Sequence, residues 1–290
     1  MQVFGKKFFL YLQLCVKIKM YRYVLTKQVE DIDMESHPNF DDLNARLQEI
    51  KMTPEYQADL QWLQGECQGL ENLAHMFLSR IPELSQAYTS ETVRVEYATG
   101  STLRRGFYCP SPVFELIVGN TKRGKISHRK PATAKHWHMY GFNRNNNLLW
   151  CREYYNGNAS YTEHLIYENS HVYAVQAEAH SGRLSRFTDE FYEKGQLTKL
   201  MFGMFGIDGE CQELLTETYQ YDNEGIVACT WHSIVIPPKS IPDFLEPFAS
   251  HLPRDPIVRR NHYTFHRENG LVCGYSSGNR YYKIKNPRKI

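Results

Sequence analysis

The chain has 290 residues, of which 42% are apolar and 13% aromatic, including 20 Tyr and 15 Phe. That is enough apolar material for a real core and one or two domains, and the aromatic excess leans toward strands. A net charge of +2 excludes any argument from bulk charge for a nucleic-acid or membrane partner.

At the N-terminus, "GKKFFLYLQLCVKIK" holds an apolar run of nine residues, Phe8 to Val16, between lysines. A membrane span needs about 20, and no small-residue cleavage site follows. Residues 1–34 are therefore expected to be an extension ahead of the domain, with Met20 or Met34 as alternative starts. The plain alternative is a strand or helix packed on the domain.

Residues 35–92 read as a helical segment. Leu43, Leu47 and Ile50 recur on one helical face. Thr53-Pro54 then restarts the chain with an N-cap and a first-turn proline. Leu60, Leu63, Cys67, Leu70, Leu73 and Phe77 continue at spacings of three and four, and Pro82 is expected to end the run. Gly65 and Gly69 weaken this helix. Glu55, Asp59, Glu66 and Glu71 form an acidic side expected to point to water.

From about Val93 to 236 the period becomes two. "VRVEYATG" and "VFELIVG" read as strands. Between them and the next strand, "HRKPATAK" argues against a helix. From Tyr140 the chain repeats a pattern of aromatic strand, polar turn and apolar strand. The copies are "YGFNRNNNLLW", "LIYENSHVYAV", "EFYEKGQLTKL", "YQYDNEGIVAC" and "YTFHRENGLVC". Phe142, Tyr167, Tyr192 and Tyr221 stand 25, 25 and 29 residues apart. Each unit reads as a β-hairpin with a turn of three to five residues. On the fourth, Tyr219 and Tyr221 share one face, as do Val227, Cys229 and Trp231. Tyr221 is expected inside, with Asp222 and Gly225 in an exposed turn. Residues 237–290 carry a proline-rich stretch, where Ser240 and Pro242 suggest a short helix, and a final hairpin from about His262 to Lys285, in the same domain. The fold class is α+β: N-terminal helices packed on a large meandering antiparallel sheet of hairpin repeats.

The unit Tyr219, Tyr221, Asp222, Gly225, Ile226 resembles the tyrosine–aspartate (YD) repeat of bacterial Rhs proteins. Phe191, Tyr192, Glu193, Gly195 and Leu197 match it in part. Phe142-Asn143 lacks the glycine, and His266 replaces the aspartate after Phe265. The chain is too short for the many repeats of an Rhs shell. The resemblance implies instead a small cytoplasmic β-sheet protein encoded beside a bacterial toxin, of the immunity type.

Gly119, Gly124 and Lys125 imitate a phosphate-binding P-loop. The motif needs Ser or Thr after the lysine to hold Mg²⁺, and a helix to follow. Ile126 occupies that position and Pro131 follows, so a turn between strands 114–118 and 125–128 is expected. Arg104, Arg105, Lys122, Arg123, Lys125, Arg129 and Lys130 form a candidate interaction surface. With Tyr108, Trp137 and Tyr140 nearby they could hold nucleic acid, but no nucleic-acid motif accompanies them and a protein partner fits better. His136 and His138, two apart on a strand, share one face. A metal would need a third ligand, sought at His128, His164 or His232, and no carboxylate or cysteine stands at a familiar spacing, so they read as structural. Asp222 and Glu193 read as turn residues rather than an acid–base pair. The seven cysteines form no C-x-x-C pair and fit reduced thiols. No catalytic, cofactor or metal site is expected. The function read here is a non-catalytic bacterial protein-interaction module that neutralises a toxin by occlusion; the alternative is a nucleic-acid-binding or nuclease-related protein using residues 104–135.

Overall fold

In the computed structural model, which describes residues 40–119, 121–237 and 255–290, the aromatic-rich part of the chain forms one antiparallel sheet of 13 strands. The readings for residues 1–34 and for Ser240 and Pro242 lie outside the described residues. The chain divides into two units, Met1–Asp59 and Leu60–Ile290.

The first unit holds helix α1 (Phe40–Lys51) and the start of α2 (Pro54–Ser79). Thr53 makes the break between them. Its hydroxyl accepts from the Tyr56 amide at 3.3 Å and donates to the Ile50 carbonyl at 2.8 Å, while Pro54 supplies a ready-made helical φ.

In the second unit α2 buries Leu63, Cys67, Leu70, Ala74 and Phe77, one stripe at spacings of four and three. Phe77 lies against Tyr173 and Phe187, with ring centroids 4.8 and 5.9 Å away. Burial of Leu63, Leu70 and Phe77 contributes about 1.5–3 kcal/mol each. This stripe, more than propensity weakened by Gly65 and Gly69, holds the helix. The acidic side is not wholly turned to water. Glu66 pairs with Lys199 at 3.1 Å, and Glu71 accepts from the Cys211 amide at 3.2 Å. The α2 run does end just ahead of Pro82, at Ser79, but the helical region continues. Pro82 sits in the first turn of α3 (Ile81–Glu91), where its missing N–H has no helical acceptor to lose. The Tyr88 hydroxyl of α3 donates to the Leu165 carbonyl at 2.6 Å, and Ser85 bonds His164 at 2.9 Å.

The strands are β1 (Arg94–Thr99), β2 (Lys125–Ser127), β3 (His136–Phe142), β4 (Leu148–Tyr155), β5 (Asn158–Glu168), β6 (His171–Glu178) and β7 (Leu184–Glu193), then β8 (Gln196–Phe205), β9 (Cys211–Asp222), β10 (Gly225–Val235), β11 (Ile257–Glu268), β12 (Leu271–Ser277) and β13 (Arg280–Arg288). From β3 onward each strand pairs with the next in sequence. At the other end β1 lies between β3 and β2. The long β1–β2 connection therefore leaves the sheet and returns to its outer edge.

All five quoted segments fold as hairpins. Four of their turns hold two residues, not three to five. The connections β4–β5, β6–β7 and β8–β9, such as Asn156-Gly157, are short links between paired antiparallel strands as well, so β3 to β10 form a meander. Asn156-Gly157, Lys194-Gly195 and Asn269-Gly270 all have positive φ at both positions, the twist-matched turn that such short loops need. The last strands form a three-stranded meander to Arg288 rather than one hairpin ending at Lys285. A bulge between Ile226 and Ala228 alters the reading of β10: Ile226, not Val227, joins Cys229 and Trp231 in the apolar cluster with Tyr219 and Tyr263. Tyr221 is half-buried, its hydroxyl donating to the Leu197 carbonyl at 2.7 Å. Asp222 is exposed and accepts from the Glu224 and Gly225 amides at 2.8 and 3.0 Å.

Both edge strands carry cations, Lys125 on β2 and Arg280, Lys283, Lys285 and Arg288 on β13. Such charges discourage edge-to-edge pairing with another sheet. Among the described residues no helix is long and apolar enough to cross a membrane.

Candidate functional site

Helices α2 and α3 cover one face of the sheet. The β1–β2 segment lies against the other, and its sequence explains how it is seated. Arg105 and Gly106 adopt left-handed φ values of 56° and 58°. The Tyr140 hydroxyl holds the turn, accepting from the Phe107 amide at 3.0 Å and donating to the Arg105 carbonyl at 3.2 Å. Any side chain at Gly106 would collide, since a Cβ there would fall 2.3 Å from that hydroxyl and 2.8 Å from His138 Nδ1.

The turn sends the Arg105 guanidinium into the sheet. Its Nε donates to Glu163 at 3.0 Å and its Nη1 to Glu190 at 2.7 Å. Arg186 stands 3.8 Å from Glu163. The register Glu163–Gln176–Arg186 across β5, β6 and β7 places these groups on one face. Two cations meet two anions, and all four are buried. Burial alone would lower the Arg105 pKa, but Glu163 and Glu190 hold it well above its ordinary value. Burial would raise Glu163, but Arg105 and Arg186 override it and keep it below the usual carboxylate range. Such a cluster is sealed and balanced, and its role is to position the loop.

Neighbouring groups extend the seam. Arg104 stacks on Phe202, 3.6 Å from the ring centroid, and burial lowers its pKa to about 10, so it stays charged at neutral pH. Ser111 donates to Glu217 at 2.6 Å, as does the Tyr219 hydroxyl. Burial raises Glu217 to about 7, against the pull of those donors and Arg104. Arg123 clasps the loop from outside, donating to the carbonyls of Phe107, Cys109 and Ser111 at 3.2, 2.7 and 2.6 Å.

The seven candidate cations thus divide. Arg105 is internal, Arg104 stacks on the core, and Arg123 binds backbone. Lys122, Lys125, Arg129 and Lys130 stand exposed at the β2 edge and form no ion pair among the described residues. Lys135 joins them. A shallow groove of about 470 Å³ lies alongside, lined by Lys130 to Lys135, Trp137, Asn156 and Gly157. The aromatics expected to stack on bases are otherwise engaged. Tyr140 and Trp137 are buried, Trp137 stacks on Tyr154 at 3.9 Å, and Tyr108 donates to Glu96.

The P-loop imitation is reversed in order. Phe114–Val118, expected as a strand, is a short helix, α4, whose first turn is capped by Ser111 Oγ accepting from the Phe114 amide at 3.0 Å. Gly119 and Gly124 lie in the connection to strand β2, and Lys125 opens that strand rather than a helix.

The histidine pair has a different outcome. His164 and His232 lie on the helix-covered face, His164 against Ser85 and His232 4.9 Å from Trp62. Neither can serve as a third ligand. Glu153 of β4 can: it pairs directly with His138 in the β3–β4 register, and His136 Nε2 lies 2.8 Å from its Oε1. Donor atoms of all three fall within 4.8 Å of one another. His138 is buried, its Nδ1 has no hydrogen-bond partner, and burial lowers its pKa to about 4. It is therefore a neutral imidazole at physiological pH.

The sequence matches no protein-family model and no curated protein.

Proposed function

We propose that this protein is a partner-binding module whose contact surface is the basic edge formed by Lys122, Lys125, Arg129, Lys130 and Lys135. The observation that supports this reading is the division of the cations. Those of the β1–β2 segment that the fold needs are turned inward. The rest gather on one edge beside an open groove, in a stretch with no Asp or Glu between Glu115 and Glu153. Unscreened like charges repel one another, so such an edge favours a surface of opposite sign. The preferred partner is a protein with an acidic face, because the aromatics that would stack on bases are committed elsewhere.

In its most concrete form the partner is a bacterial toxin, neutralised by being covered, as the YD-like unit at Tyr219–Ile226 suggests. On that reading the hairpins descend from one unit of about 25 residues, and the protein works in the cytosol, where its thiols stay reduced. The six described cysteines are all free.

The test is charge reversal at Lys122→Glu, Lys125→Glu, Arg129→Glu and Lys130→Glu together, all exposed sites that leave the core untouched. Binding to the product of the gene beside its own is measured by interferometry at two salt concentrations, with single- and double-stranded oligonucleotides in parallel. The expected result is salt-sensitive protein binding lost on reversal. Equal binding by the reversed chain refutes the assignment. Binding only to oligonucleotides transfers the surface to nucleic acid.

A further inference from the structure

We propose that His136, His138 and Glu153 form a binding site for one first-row divalent metal ion, with Zn²⁺ the best match.

The chemistry comes first. Two imidazoles and a carboxylate suit zinc and its neighbours, and three protein donors with open positions left for water form a recurrent coordination set. The sheet builds the set cheaply. His136 and His138 alternate onto one face of β3, and the antiparallel register brings Glu153 directly opposite His138. The donors belong to adjacent paired strands, so the backbone fixes their spacing without any ion.

The distances fit an ion with small side-chain rotations. Donor atoms around a tetrahedral zinc lie about 3.4 Å apart, from bond lengths of about 2.0–2.2 Å. Here one pair is at 2.8 Å and the whole set within 4.8 Å. His136 and Glu153 are each about one-third exposed, so both can turn and an ion can enter from solvent. His138 is the buried anchor, and Gly106 and Tyr140 confine its ring. Its Nδ1 has no hydrogen-bond partner among the described residues, so none of them fixes the tautomer from that side.

The site differs from the buried Arg105 cluster in being open, and from the basic edge in lying on the other face of β3 from Trp137.

The test uses the full chain, freed of metal by dialysis against EDTA, titrated with zinc chloride by calorimetry and with cobalt(II) chloride by visible absorption. The expected result is one ion per chain, a cobalt spectrum showing nitrogen and oxygen ligation, and a raised melting temperature with zinc. Glu153→Gln, which keeps side-chain shape, and His136→Ala should each weaken binding at least about tenfold, since even outer-shell changes cost that much. The exposed His128→Ala should change nothing. Circular dichroism establishes that each variant is folded. Should His136→Ala fail to fold, Glu153→Gln decides alone. Absence of zinc binding at about 0.1 mM, far weaker than ordinary protein zinc sites, overturns the proposal. So does binding that survives in either folded variant, or binding removed by thiol alkylation but not by these substitutions.

Discussion

Replacing Arg105 with methionine isolates the energetics of the buried seam. The side chain is 4% exposed, and its two partners, Glu163 and Glu190, are 1% and 6% exposed. Methionine keeps much of the volume but leaves Glu163 facing Arg186 and Glu190 with the Tyr192 hydroxyl. Breaking a buried ion pair by removing one partner costs about 3–5 kcal/mol. Arg105 serves two partners, so the upper part of that range is expected, a large share of the ~5–15 kcal/mol that keeps a domain folded. The pH dependence gives a second, independent check. In the native protein the Glu163 pKa lies below its unfolded value near 4.5, because Arg105 and Arg186 override burial. A carboxylate depressed in this way contributes stability that is present above pH 4.5 and lost as pH falls through the folded pKa. In the methionine variant burial dominates and the folded pKa rises above the unfolded one. The sign then reverses, and the penalty is complete at neutral pH and shrinks on acidification toward 4.5. Urea unfolding followed by tryptophan fluorescence, at about pH 7.5 and about pH 5, should show a deficit that is larger at the higher pH. Adding Glu163→Gln and Glu190→Gln should recover most of it at pH 7.5. A deficit below about 1 kcal/mol at that pH, or one that widens on acidification, would refute the account of the cluster as a closed charge balance.

Two further outcomes follow from the same segment. Gly106→Ala should destabilise by about 1–3 kcal/mol through its left-handed backbone alone, and by more because the new methyl meets Tyr140 and His138; a thermal melt unchanged from wild type would contradict the seating of the turn. Glu217→Gln should flatten the stability profile between pH 4.5 and 7. The native carboxyl, raised by burial to about 7, contributes stability that is complete below 4.5 and is lost as pH rises through 7, whereas glutamine does not titrate; denaturation midpoints across that range read the difference.

Much of the architecture was legible because it rests on period. The stripe from Leu63 to Phe77 and the aromatic hairpins declare themselves by spacing of three to four and of two. What escaped depended on contacts between distant residues. Phe114–Val118 is apolar and short, and at that length a buried strand and a helical turn look alike. Its state is decided by Ser111, whose hydroxyl also serves Glu217 more than a hundred positions later. Pro82 marks a helix start as readily as a stop, and only Tyr88 and Ser85 reaching the sheet make it a start. Arg105 could not be separated from Lys122 by composition, because the distinction is made by Glu163 and Glu190 on strands far along the chain. Glu153 lay one residue from recovery. A turn at Asn143–Asn147 alone pairs position 138 with 152, and the bulge beside Gly141 moves the partner to 153. Residue type points to other histidines as the third ligand, whereas strand pairing limits the candidates to the carboxylate on the neighbouring strand.

The order of synthesis gives the seam a further meaning. From β3 onward, strand pairs join neighbours in sequence, so hairpins can form successively as the chain leaves the ribosome, with little loop-closure cost. Arg105 is made early, yet its carboxylate partners lie 58 and 85 residues later. During translation the β1–β2 segment therefore waits, a cationic flap without its seat, until β7 has emerged and paired. Its closure is an event that only a sheet built as far as β7 permits. A nascent chain halted before Glu190 carries its first strands paired and its flap unlatched, so susceptibility of the 100–124 segment to a protease reports how far assembly has progressed.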